Sequence, residues 1–239
     1  NKKKIKKKNE KKDKKKKINK KINFLKKNKL DNIFITAPEK VAWILNIRGY
    51  DNPTSPIPNS NLVISRNKKK FIIANKKKLK KIIYDKKINS KEIIEPKNIE
   101  KFFNKLKGKN ISIDSKTCSM HYEEILNKKF SVIKNDDPIY LLKSIKNTTE
   151  INNTIQAHIN DGVALTKFIY WIKKKKKKKI TEVDAQNKLE KFRKKNKNYL
   201  FPSFNTIAGS GKNGAIVHYR ATNKNKSYIN KKDIFLCDS

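Results

Sequence analysis

Ile18, Ile22 and Leu25 recur at i, i+4 and i+7 and predict one amphipathic helix, which Asn28 to Asp31 brings to an end. From Asn32 to about Asp137 short apolar runs alternate with helical patterns. Strands are predicted at Asn32–Thr36, Asn61–Ser65, Lys70–Ala74, Ile82–Tyr84, Asn110–Asp114 and Phe130–Ile133. The second and third of these flank Arg66–Lys69 as a hairpin. Pro38 at a first helical position, backed by Glu39, opens a helix through Leu45, and further helices are predicted at Pro96–Lys107 and Ser119–Lys128. Strands and helices in alternation make an α/β domain of about a hundred residues.

Asp136-Asp137-Pro138 marks a boundary. Beyond it Asn147 and Glu150 form a capping pattern, and Ile151, Ile155, Ile159 and Val163 make an i+4 ladder that continues through Leu165, Phe168 and Ile172. A lysine run, 173–179, sits at the C-terminal end of that helix, where cations are favoured. Thr181-Glu-Val-Asp184 opens a second helix to about Lys195. Strands are then predicted at Thr206–Ala208, Ala215–Tyr219 and Ile234–Cys237, an α+β pattern that reads as unfinished. The expected organisation is a lysine-rich tail and linker helix (1–29), an α/β domain (30–136) and the beginning of an α+β domain (137–239).

The chain has 239 residues, enough for one large domain or two modest ones, and a formal charge of +41. Residues 1 to 30 carry 17 lysines against Glu10 and Asp13, so the stretch up to Lys17 is expected to be disordered or a solvated helix. Such charge suggests nucleic acid, yet only Arg48, Arg66, Arg193 and Arg220 among 62 basic residues are arginine, whose fork suits phosphates and bases. Lysine, asparagine and isoleucine dominate together, as an A/T-rich coding sequence would make them. We read compositional drift, with nonspecific nucleic-acid binding at low salt only. No apolar run is long enough for a membrane span and no targeting signal is visible, which with two unpaired cysteines, Cys118 and Cys237, argues for a cytoplasmic protein. The first residue is Asn1, and the chain is expected to be an internal piece of a longer one.

The chemistry gathers near the C-terminus. Gly209-Ser-Gly211-Lys-Asn213-Gly214-Ala-Ile-Val-His218-Tyr219-Arg220 puts a histidine into a glycine-flanked apolar strand, and Asp238 follows 20 positions later at the end of the next one. The pair looks like half of a metallopeptidase site. Glycines at 209, 211 and 214 would let backbone approach a peptide closely.

Three segments together resemble the aminopeptidase P (Xaa-Pro aminopeptidase) family, in its three-domain cytosolic branch. They are Val41-Ala-Trp43-Ile-Leu-Asn46-Ile-Arg48-Gly49-Tyr-Asp51 with Pro56-Ile-Pro58; Lys143 to Asn147 with Glu150 and Ala157-His158-Ile-Asn-Asp161-Gly162-Val-Ala164-Leu165; and the closing segment with Ser203-Phe204-Asn-Thr206-Ile207 ahead of it. The resemblance runs in order from about Leu30 to Ser239. It implies a creatinase-like middle domain followed by the N-terminal part of a pita-bread catalytic domain. That domain holds two divalent ions, commonly manganese, through two aspartates, one histidine and two glutamates, of which Asp238 falls on the first aspartate. His218 would serve the substrate, stabilising the tetrahedral intermediate, with Tyr219 and Asn213 beside it as substrate-binding residues. Two metals about 3.5–4 Å apart can hold a bridging hydroxide that attacks the bond before proline. The expected substrate is a peptide with proline at its second position, and the expected assembly of the full-length enzyme is a homodimer. With four of five ligands absent, the chain alone is expected to be inactive.

Plainer readings stand beside these. His158 falls on a helix stripe and is expected in core or interdomain packing, Trp43 and Trp171 in the core, Arg48 in a structural role, and His121 carries no signal. A non-catalytic pita-bread protein that binds peptides, or a lysine-rich nucleic-acid-binding protein, would be the alternative functions.

Overall fold

A computed structural model describes residues 16–85, 88–174 and 179–239. The lysine tail to residue 15 and most of the 173–179 lysine run lie outside the described residues. The chain divides into two compact units, residues 1–145 and 146–239.

The first unit is built on a six-stranded mixed sheet of order β4-β3-β2-β1-β5-β6. Its strands are β1 (Asn32–Ile35), β2 (Asn61–Ser65), β3 (Lys70–Ile73), β4 (Ile93–Ile94), β5 (Asn110–Ile113) and β6 (Ser131–Lys134). β1, β2 and β3 pair antiparallel, whereas β5 lies parallel to both β1 and β6. Alternation assigns each strand residue a side. Ile33, Ile35, Leu62, Ile64 and Ile72 join one apolar cluster with α1 (16–27) and α2 (Pro38–Leu45), while Phe34, Val63, Ile73, Ile111 and Ile113 join another with α4 (Ile99–Lys105) and α5 (Met120–Asn127). A sheet covered on both faces explains why its strands read as apolar runs. The predicted amphipathic helix is α1, whose Ile22 and Leu25 are buried in the first cluster. Trp43 is half-buried against it.

Two expectations fail here. Ile82–Tyr84 belongs to a short helix, α3 (Lys80–Tyr84), instead of a strand, because Lys76–Leu79 has already entered a 3-10 turn capped by the Asn75 side chain. The helix opened by Pro96 is also broken, since Pro96–Asn98 is a 3-10 turn before α4 begins.

A cluster of charged side chains is buried in this unit. Lys40 Nζ lies 3.1 Å from Asp114 Oδ2 and 3.4 Å from Asp137 Oδ2, and Lys21 Nζ stands 3.7 Å from Asp137 Oδ1. Asp137 also accepts the Ile139 N–H (2.8 Å), holding the start of α6 (Ile139–Ser144). Lys21 has only 1% side-chain exposure and no hydrogen-bond partner within reach of its ammonium. Burial pushes its pKa down to about 8, against the opposing pull of Asp137.

The second unit holds α7 (Thr148–Lys174), α8 (Glu182–Arg193) and a two-stranded antiparallel sheet of β7 (Ile207–Ser210) and β8 (Phe235–Asp238). Asn147 and Glu150 close a reciprocal cap ahead of α7, with bonds of 2.9 and 3.0 Å. Phe168, Ala185 and Leu189 form the buried centre, with Trp171, Phe192, Phe235 and Cys237 around it. The Ile151, Ile155, Ile159, Val163 ladder lies on an exposed face of α7. His158 is exposed as well, its Nδ1 2.9 Å from the Thr154 carbonyl, so it packs in no core of this unit.

Candidate active site

Glu182 is the first residue of α8 and is fully buried. A carboxylate at a helix N-terminus is favoured by the exposed N–H groups there. Thr181 caps the helix in a box with Asp184, and that fixes the direction in which Glu182 points. Its Oε1 accepts from the Ser210 N–H (2.7 Å) and Asn213 Nδ2 (3.0 Å), and its Oε2 from the Tyr219 hydroxyl (2.9 Å) and the Ser227 N–H (2.8 Å). No ion pair reaches it among the described residues. Burial alone would raise its pKa; the hydrogen bonds from Ser227, Ser210, Asn213 and Tyr219 outweigh it and hold the carboxyl below its ordinary value. The same environment, burial first and then Glu182, pushes the Tyr219 phenol up.

Around this carboxylate runs the segment that carries the sequence motif. β7 ends at Ser210, Gly211 turns the backbone at φ +56°, and Gly211–Ala215 forms a 3-10 turn. The predicted strand Ala215–Tyr219 is therefore absent. A strand needs a neighbour for its backbone groups, and β7 pairs with β8, leaving Ile216 N–H to Asn213 O and Tyr219 N–H to Ile216 O as turn bonds. Ile216 and Val217 are exposed.

His218 sits on this turn, exposed, with φ +56°. Histidine is one of the few non-glycine residues that tolerate this region, at a cost of about 1–3 kcal/mol that the surroundings must impose. The residues on either side do so: Asn213 and Tyr219, 8% and 7% exposed, are joined by a 2.9 Å hydrogen bond and both reach Glu182. Asp238 ends β8 opposite Ile207, also exposed. The structure thus brings Asn213 and Tyr219 together with Glu182, and presents His218 and Asp238 outward without a bond between them. Arg193, a late residue of α8, makes a two-pronged ion pair with Asp161 and reaches the Ser239 carbonyl (3.4 Å), next to Asp238.

Among the described residues no group of three or more His, Cys, Asp or Glu could hold a metal ion. Asp238 offers one carboxylate, and the described residues do not make up a metal centre. Cavities of about 590 and 580 Å³ lie along α7 and α8, and neither is lined by His218 or Asp238. No helix among the described residues is long and apolar enough to cross a membrane.

Sequence reasoning missed Glu182. Its place at a helix start already accounted for an acidic residue, and its partners lie 28 to 45 positions away, so no local spacing pointed to it.

Comparison with known proteins places these two units in a family. Residues 3–150 match the Creatinase/Prolidase N-terminal domain, and residues 152–239 match metallopeptidase family M24. The Xaa-Pro aminopeptidase ApepP of Drosophila melanogaster is 32% identical over 223 residues, covering 90% of this chain and 36% of that protein. The "Probable Xaa-Pro aminopeptidase P" of Paracoccidioides brasiliensis (strain Pb03) is 32% identical over 237 residues, covering 90% and 37%. Among solved structures, the X-prolyl aminopeptidase of Caenorhabditis elegans, described as a cytosolic enzyme with a di-nuclear active site, superposes with a TM-score of 0.82 at 24% identity, over 93% of this chain and 38% of that one. The chain spans little more than a third of the length of these relatives. It belongs to the aminopeptidase P family, with a creatinase/prolidase N-terminal domain followed by the start of an M24 pita-bread domain.

Proposed function

We propose that this chain is part of an Xaa-Pro aminopeptidase, a cytosolic enzyme that releases the N-terminal residue from peptides with proline in second position. The observation that carries the reading is the motif on the Glu182-anchored turn: His218 stands exposed in a left-handed conformation on a segment tied at both ends. An imidazole held there can donate to the carbonyl next to the scissile bond and stabilise charge on it as it develops. We assign Asn213 and Tyr219 to holding that turn, since their side chains are occupied by Glu182. Asp238 we assign as one carboxylate ligand of a two-metal centre, with manganese as the ion. The remaining ligands must come from residues other than those described.

The coding sequence beyond Ser239 tests this reading. It is expected to supply a second aspartate, a histidine and two glutamates, and the protein it encodes to cleave an Xaa-Pro peptide with added Mn2+. The 239-residue chain alone is expected to cleave none. A longer protein lacking those ligands, yet still binding proline-containing peptides, would favour a non-catalytic peptide-binding relative instead.

A further inference from the structure

We propose that Glu182 is a positioning residue for His218, setting the turn that presents the imidazole through four hydrogen bonds from neutral donors. The proposal rests on the functional reading above for its consequence in activity, though not for its geometry.

The four donors come from four places in the chain: the end of β7 (Ser210), the 3-10 turn (Asn213), the residue after His218 (Tyr219), and Ser227 beyond the following loop. A single carboxylate therefore fixes the entry, middle and exit of the segment bearing His218. The Asn225 carbonyl stands 2.8 Å from the Tyr219 oxygen and shares its one proton with Glu182, while Asn225 Oδ1 accepts from the Thr222 N–H (2.6 Å). His218 itself makes no hydrogen bond among the described residues, so nothing on the imidazole holds its unusual φ. The constraint has to come through the backbone from its neighbours. A carboxylate suits this place because all four partners are donors and it offers only acceptors. Glutamine has one oxygen and one NH2; whichever way it turns, two donors face an NH2 group. In a chain with 62 basic residues, anchoring by neutral donors leaves the carboxylate's orientation to geometry and independent of any mobile cation.

The test uses Glu182→Gln in two settings. In the 239-residue protein, NMR is expected to show exchange protection falling at least about tenfold at whichever of the Ser210 and Ser227 amides faces the new NH2 group, and the His218 backbone couplings leaving their left-handed values. In the longer enzyme, kcat/KM for an Xaa-Pro peptide is expected to fall about 10²-fold, the scale of a displaced catalytic group. The decisive readout is additivity: Glu182→Gln with His218→Ala should be no slower than His218→Ala alone, because the glutamate acts through the histidine. Additive losses, or unchanged His218 couplings in Glu182→Gln, would overturn the proposal. Should Glu182→Gln not fold, Tyr219→Phe removes one donor and must show the same changes in smaller measure; the absence of any would equally overturn it. If the wild-type longer protein cleaves no Xaa-Pro peptide, the functional reading fails, and the NMR arm alone decides whether Glu182 sets the turn.

Discussion

Replacing Asp137 with alanine is expected to lower the stability of the first unit by about 3–5 kcal/mol, the cost of stripping a partner from buried charges. Asp137 is the carboxylate shared by Lys21 and Lys40, and it also holds the first turn of α6 through the Ile139 N–H. Lys40 would keep Asp114 at 3.1 Å; Lys21 would keep no carboxylate, only the Phe24 ring 5.7 Å from its ammonium. Urea unfolding followed by Trp43 fluorescence measures the loss, and a change within about 0.5 kcal/mol would mean that the cluster contributes little. Lys21 also gives the effect a pH signature. Its folded pKa of about 8 lies below the ordinary 10.5. Below pH 8 the lysine is protonated folded and unfolded, and the full penalty of burying the charge is present. Between 8 and 10.5 the unfolded chain binds more protons, so stability rises with pH in that window. Lys21→Met in the Asp137→Ala background is therefore expected to restore part of the loss at pH 7.

Gly209→Ala is expected to cost the proposed aminopeptidase about 10²-fold in kcat/KM, the scale of a roughly 1 Å misplacement near the chemistry. A Cβ at this position would lie 2.8 Å from both the Asn213 carbonyl and the Gly214 amide nitrogen. These are backbone atoms of the 3-10 turn, not the ends of pliable side chains, so the turn must move, and His218 moves with it. Gly162→Ala is the control: its Cβ would meet nothing within 4 Å on α7, and the substitution should stabilise the helix by about 0.5–1 kcal/mol. Equal kinetics of the two variants in the longer enzyme would show that the turn's position does not matter for the reaction.

What could be read from the chain and what could not divide along physical lines. The sheet of the first unit was legible because a strand covered on both faces must be apolar throughout, and Leu62-Val-Ile64 and Phe71-Ile-Ile73 are. The long helix α7 was legible from its ladder, whose burial was not: Ile151 to Val163 are exposed. Periodicity reports which residues share a stripe, never whether something covers it. The segment 215–219 misled because its apolar, β-prone residues suit a strand while the pairing that would make one is non-local. His218 and Asp238 were found as a motif, but the reason His218 stands where it does lies in Glu182, which only long-range contacts disclose.

The Glu182 hub also sorts how the molecule answers to its solvent. Ion pairs on the surface, such as Lys116 with Asp136 or Lys128 with Glu100, weaken as salt rises. A carboxylate held by neutral donors in a buried site has no counter-charge for salt to screen. What loosens it is acid: its stabilising contribution is complete above the ordinary glutamate value and is lost as pH falls through the lowered folded one. Ionic strength thus governs the basic exterior, while the presentation of His218 is salt-proof and acid-labile.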